Sequence, residues 1–289
     1  MSAGRFFKRY TSTAAAIGSA LILLGASMGS AAQPTVASAD ASPPLSAERI
    51  ADIVASPDRS PADRVNDMRR MPKQMLAFIG VRPGMVVLDL SAGGGYSTEL
   101  LARSVGTSGR VYGQRAPQIE RPPPAAPEGA AAPPAASAPA SAPARQTLAS
   151  RAANPLAGHI VAIVQPFEAP VPPELATGGL DLVTLMFNYH DLGHMGVDRA
   201  RMNQAVFAAL KPGGLYVIAD HSGRPGTGIS EAGTLHRIEE AFLRAEVERA
   251  GFKLRDVGDF MRNPSDPRDR NTPEPPQPKD EFVLKFVKP

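Results

Sequence analysis

The chain has only five histidines, and four of them, His190, His194, His221 and His236, are set among acids at Asp191, Asp220 and Glu239. Unperturbed imidazole titrates at about pH 6.5, so it can give or take a proton at neutral pH. Imidazole with carboxylate also suits a divalent metal. No helix is expected to carry two of these histidines four residues apart, so no metal ligand is assigned and a metal is the weaker reading. Each histidine can also simply hold a loop by bonding backbone. As a group, His190, Asp191, His221 and His236 are the candidate catalytic residues.

A second stretch could bind the molecule on which such residues act. Met85-Val86-Val87-Leu88-Asp89-Leu90 is a nearly continuous apolar run, the mark of a strand buried on both faces. Ser91-Ala92-Gly93-Gly94-Gly95 follows, and then a helix opening in which Leu100, Leu101 and Val105 keep helical spacing. Strand, glycine turn and helix N-terminus together can hold a nucleotide-like ligand. Glycine lets the backbone approach closely, and the first free N–H groups of the helix point at whatever sits there.

Val87-Leu88-Asp89-Leu90-Ser91-Ala92-Gly93-Gly94-Gly95 resembles the first motif of class I S-adenosylmethionine (SAM)-dependent methyltransferases, an acid followed by three alternating glycines. Asp89 matches the acid, Gly93 and Gly95 match the second and third glycines, and Ser91 stands where the first would be. From about residue 48 onward, the chain most resembles a family of exported, predicted methyltransferases. The resemblance implies an α/β fold: a Rossmann-like, doubly wound, mostly parallel seven-stranded sheet with helices on both faces. It also implies SAM as cofactor, with Asp89, Ser91, Gly93 and Gly95 at its site and a base such as His190 or His221 taking the acceptor's proton.

The remaining strands are read from their apolar runs. Gly109 to Arg115 is a second strand, at whose end this fold normally places an acid for the ribose hydroxyls. Here Gln114 and Arg115 hold those places, and the Gln114 amide is the candidate substitute. His159 to Val164 is a third strand, and Glu168 just beyond it is a candidate contact for an adenine amino group. Leu180 to Phe187 and Leu215 to Ala219 are the fourth and fifth strands, delivering His190 and His221 to the rim shared with the glycine loop. Glu231 to Ala250 reads as one helix, and Phe252 to Val257 with Glu281 to Val287 as a closing antiparallel pair. Helices over 48–79, with Val65 and Met68 among their apolar residues, either cover the cofactor end of the sheet as a lid or pack into the core.

Composition limits the alternatives. With 289 residues, 43% of them hydrophobic, the chain can bury one sizeable core. The absence of cysteine excludes disulfides, thiolate chemistry and cysteine-bound zinc. Residues 1–32 have the basic, apolar, small-residue order of a signal peptide, with a second cleavage point after Ala39. Setting aside Arg5, Lys8 and Arg9 leaves 28 basic and 28 acidic residues, so no bulk field favours nucleic acid. Residues 33–47 read as a flexible linker and 116–147 as a disordered Pro/Ala insertion. The expected protein is therefore an exported, periplasmic or secreted SAM-dependent methyltransferase. Its acceptor is a small or medium molecule, and membrane contact is only through the export signal. The competing readings are an exported, non-catalytic binding or stress-related protein on the same fold, and a metal-assisted hydrolase using the histidine rim.

Overall fold

Val86–Leu90 (β1), Arg110–Arg115 (β2), Ile160–Val164 (β3), Leu180–Met186 (β4) and Leu210–His221 (β5) pair in parallel in the computed structural model, which describes residues 42–117, 146–273 and 277–289. Glu281–Val287 (β7) inserts antiparallel between β5 and Lys253–Gly258 (β6), giving the order β3-β2-β1-β4-β5-β7-β6. The expected seven-stranded, mostly parallel sheet is present. The signal peptide and nearly all of the Pro/Ala insertion lie outside the described residues.

Alternation along the strands builds two cores. Val87, Val217, Ala219 and Val283 face one side; Leu88, Leu90, Tyr216, Ile218, Phe282 and Leu284 face the other. The first side is covered by Ala47–Ala55 (α1), Pro72–Ile79 (α3) and Tyr96–Val105 (α4), through Ile50, Ile53, Leu76, Ile79, Leu101 and Val105. Arg199–Ala209 (α7) and Glu240–Arg249 (α9) cover the second through Met202, Val206, Leu243 and Val247. No helix among the described residues is long and apolar enough to cross a membrane.

Four expectations need correction. Pro61–Arg70 (α2) does not bury Val65 or Met68, which stay exposed; its buried residue is Asp63, so its inward face is polar. Leu45 and Ser46, assigned to the linker, belong to the fold: the Leu45 N–H bonds the Val81 carbonyl, and Ser46 caps α1. Ala116, Gln146 and Thr147, assigned to the insertion, are also structured, and Thr147 caps a short helix at Leu148–Ala152 (α5). Finally, the helix expected over 231–250 is broken into Ala232–Leu235 (α8) and α9. The break occurs because the strand edge captures the chain. The Ile238 N–H bonds the His221 carbonyl, its own carbonyl accepts from Gly223, and the buried Arg237 bonds the Ser222 carbonyl. His236 takes a left-handed turn (φ 51°) at that break.

Candidate cofactor cleft and histidine rim

Strand order reverses between β1 and β4, the switch point at which open α/β sheets bind ligands. A cleft of about 760 Å³ opens there, lined by Leu90 to Gly94 from the first loop, Met186 to Asn188 from the end of β4, and α2. Asp89 is also among the residues lining the cleft, at its floor, with its side chain buried. Its two oxygens accept from Thr98 Oγ1 (2.6 Å) and Thr184 Oγ1 (2.7 Å), tying β1 to α4 and β4. Burial pushes its carboxyl up to about 6, with the two threonines opposing. A folded-state value above the unfolded one means this group favours folding most below about pH 4 and loses that contribution as pH rises through 6. Asp89→Asn should remove the slope. Its stability relative to wild type should rise between pH 4 and 6.5 by up to about 3 kcal/mol, measured by denaturant melts. A flat difference would mean the carboxylate is not desolvated.

Ser91 occupies the first-glycine position with φ 54°, a left-handed conformation that costs a serine what a glycine takes freely. Its N–H donates to Gln114 Oε1 (2.9 Å), and its hydroxyl pairs with Asn188 Oδ1. Gln114 is fully buried, and its Nε2 donates to the Gln165 carbonyl at 2.6 Å. It therefore braces the loop against β3 and does not face the cleft, so the expected ribose contact fails. Glu168 fails likewise: it accepts from the Asp198 N–H at the start of α7 and lies outside the cleft lining.

Gly93 and Gly95 both have positive φ (54° and 84°), but for different reasons. A Cβ on Gly93 meets nothing closer than the Ser91 carbonyl at 3.9 Å, leaving the cleft side open. A Cβ on Gly95 would stand 2.9 Å from Arg151 Cδ and 3.0 Å from Leu148 Cδ1. Gly95 is thus required for packing against α5, not for ligand approach.

Arg151, absent from the sequence-based candidates, clamps this corner. Its Nη1 and Nη2 bond Asp63 of α2 at 2.8 and 2.7 Å, Nη1 also pairs with Glu99 of α4, and Nε donates to the Gly94 carbonyl at 2.7 Å. Burial raises the Asp63 carboxyl, but the Arg151 bonds outweigh it and hold the group below its usual value. Arg70, at the end of α2, was also missed. It lines the cleft with its guanidinium 3.9 Å over the Phe187 ring and makes no hydrogen bond or ion pair among the described residues. Burial and the charge of Arg69 push it down to about 10.

The four histidines do come together. Ring centroids stand 5.4 Å apart for His190 and His221, 5.6 Å for His190 and His236, and 5.9 Å for His194 and His236. His190 is buried between two acids, with Nδ1 2.6 Å from Asp220 Oδ1 and Nε2 3.2 Å from Asp191 Oδ1. Burial works against its charge, yet the acids prevail and raise it to about 9. With no cation beside it, the two acids favour its protonated form, which opposes the base role expected of it and leaves a proton for a bound cation to displace. His221 goes the other way. Burial holds it down to about 3, and its Nδ1 lies 2.8 Å from Glu281 Oε1, itself raised by burial to about 7. It is neutral but enclosed. Asp191 is the hub: Oδ1 accepts from His236 Nδ1 at 2.9 Å and Oδ2 from Asn188 Nδ2 at 2.7 Å. A chain of bonds thus runs from Ser91 through Asn188 and Asp191 to His236, joining the glycine loop to the rim.

Solved structures share this frame. A SAM-dependent methyltransferase from Aquifex aeolicus is 15% identical, with 85% of this chain and 100% of that chain covered at a TM-score of 0.52. The fold is that of the class I methyltransferases. A chain from the complex of the Haloferax volcanii Trm112 methyltransferase activator is 18% identical over 85% of this chain and 99% of that one, at a TM-score of 0.51. The [4+2]-cyclase SpnF is 15% identical over 79% of this chain and 81% of that one, also at 0.51. No protein-family model and no curated protein matches the sequence. The likeness is therefore one of fold, and the methyltransferase fold carries more than one chemistry among these neighbours.

Proposed function

We propose that the protein is a SAM-dependent methyltransferase that is exported, on the basic, apolar, small-residue order of residues 1–32, and acts on a small or medium acceptor. The observation that carries this reading is the switch-point cleft, which combines a glycine loop with an arginine that has no hydrogen-bond or ion-pair partner among the described residues. The Gly93 and Gly94 N–H groups bond nothing among the described residues, and Arg70 brings a half-buried cation without a partner. These donors fit the carboxylate end of SAM. The ribose end lacks the acid usual in this fold, and the Asn66 and Gln146 amides on the cleft wall are the groups available to its hydroxyls. Bound SAM would supply an electrophilic methyl on its sulfonium.

The chain's own part is to align an acceptor with that end of the cleft, and alignment supplies most of the acceleration. Asn188, bonded to both the glycine loop and Asp191, fixes the acceptor side relative to the cofactor side. His236, with 41% of its side chain exposed and bonded into the chain that reaches the glycine loop, is a rim imidazole open to an acceptor proton. Calorimetry should show SAM or its demethylated product binding in the micromolar range, about −8 kcal/mol. Absence of heat from either at about 1 mM would exclude the cofactor. Export predicts a mature N-terminus near Gln33 or Asp40 in protein recovered from the envelope. An intact Met1 form in the cytoplasm would refute it.

A second reading is favoured by one observation, the closure of Gln114 away from the cleft. On that reading the fold binds a small ligand without transferring a methyl, and nucleoside binding without methyl transfer to any acceptor would support it.

A further inference from the structure

We propose that His190, Asp191 and His236 bind one divalent transition-metal ion, with His194 beside them on its open side. The proposal rests on convergence at one carboxylate oxygen and is independent of SAM binding. Asp191 Oδ1 lies 3.2 Å from His190 Nε2, 2.9 Å from His236 Nδ1 and 3.8 Å from His194 Nδ1. Around a tetrahedral ion with metal–nitrogen bonds of about 2.0–2.1 Å, neighbouring ligand atoms stand about 3.3 Å apart. The observed separations bracket that edge. One ligand atom from each of His190, Asp191 and His236 falls within 4.8 Å of the others.

The mounting is also that of a metal site. His190 Nδ1 is held by the fully buried Asp220, whose second oxygen accepts the His190 N–H at 2.8 Å, so Nε2 is directed at Asp191. A carboxylate on the far nitrogen is how ligating histidines are oriented and made more basic. Asp191 is itself braced by Asn188, and His236 is fixed by the chain break between α8 and α9. His190 and His194 stand four apart, at the N-cap and the last residue of the one-turn helix Asp191–His194 (α6), a helix that the apolar pattern of the sequence does not announce. An imidazole-rich set with one carboxylate suits zinc, cobalt, nickel or copper rather than magnesium or calcium. His194 and His236 are 43% and 41% exposed, which leaves the ion open to water or to an incoming oxygen or sulfur ligand.

The test uses the full chain without an affinity tag, stripped of metal, and no nucleoside. Calorimetry with Zn²⁺ should give one ion per chain with Kd of about 10 µM or tighter, and the ion should raise the melting temperature. Co²⁺ should give visible absorption bands of a four- or five-coordinate site. His236→Ala and His194→Ala alter half-exposed side chains and should leave the metal-free melt near wild type. The first should weaken Zn²⁺ binding by about 100-fold, the second by about 10-fold. Replacing the exposed His159 should change nothing. No binding at about 100 µM Zn²⁺, or binding that both rim variants leave unchanged, would overturn the site.

Discussion

Arg151→Met is expected to lower stability by about 3–5 kcal/mol, because it removes one partner of a buried ion network and leaves the others in place. Arg151, Asp63 and Glu99 are each nearly inaccessible, so solvent cannot take over their charges. Glu99 keeps a partner, since Arg103 Nε donates to its Oε1 at 2.9 Å. Asp63 keeps only the Ser60 hydroxyl and the more distant Arg59 charge, so its carboxylate would be left buried without an ion-pair partner. The Gly94 carbonyl would lose its bond as well, loosening the loop at the cleft. At about 2–4 °C per kcal/mol for a domain of this size, the melting temperature should fall by about 10 °C. Adding Asp63→Asn should recover part of the loss, because it removes the orphaned charge. A loss below about 1 kcal/mol would show that the network contributes little beyond its desolvation penalty.

Arg70→Met should separate binding from stability. Arg70 holds a half-buried charge with no partner among the described residues, so its removal should change stability by less than about 1 kcal/mol. Methionine keeps a contact with the Phe187 ring through its polarizable sulfur. If the guanidinium binds the ligand's carboxylate, a charged hydrogen bond of about 1.5–3 kcal/mol is lost, and nucleoside affinity should fall by about 10–150-fold. Melting and calorimetry on the same sample decide it. Unchanged affinity would take Arg70 out of the site, and a large drop in melting temperature would make it structural. The expected pattern is a binding group retained at little benefit to the fold, as sites commonly are.

The parallel strands were legible because a strand buried on both faces must be apolar throughout, and Val86 to Leu90 and Leu180 to Met186 are nearly so. The glycine loop was legible for a related reason: few residues besides glycine take a left-handed turn between a buried strand and a helix. The grouping of the histidines followed from the same strands, which end at one rim. Other features depended on the tertiary structure because they rest on partners far away in sequence. Gln114 reads as a polar residue at a strand end, and only its bonds to Ser91 and Gln165 reveal that it is buried and occupied. Arg151 is one cation just after a Pro/Ala tract. Its role exists only because α2 and α4 bring Asp63 and Glu99 to it across 88 and 52 residues. The break at His236 runs against local helical preference and is set by a strand edge that competes for the backbone of Ile238. Protonation is the least local property of all. His190 and His221 are the same residue type at neighbouring strand ends, yet one is held charged by two acids and the other neutral by burial. Apolar period and backbone conformation act over a few residues and so appear in the sequence; burial and charge pairing depend on the whole packed chain and appear only once it has folded.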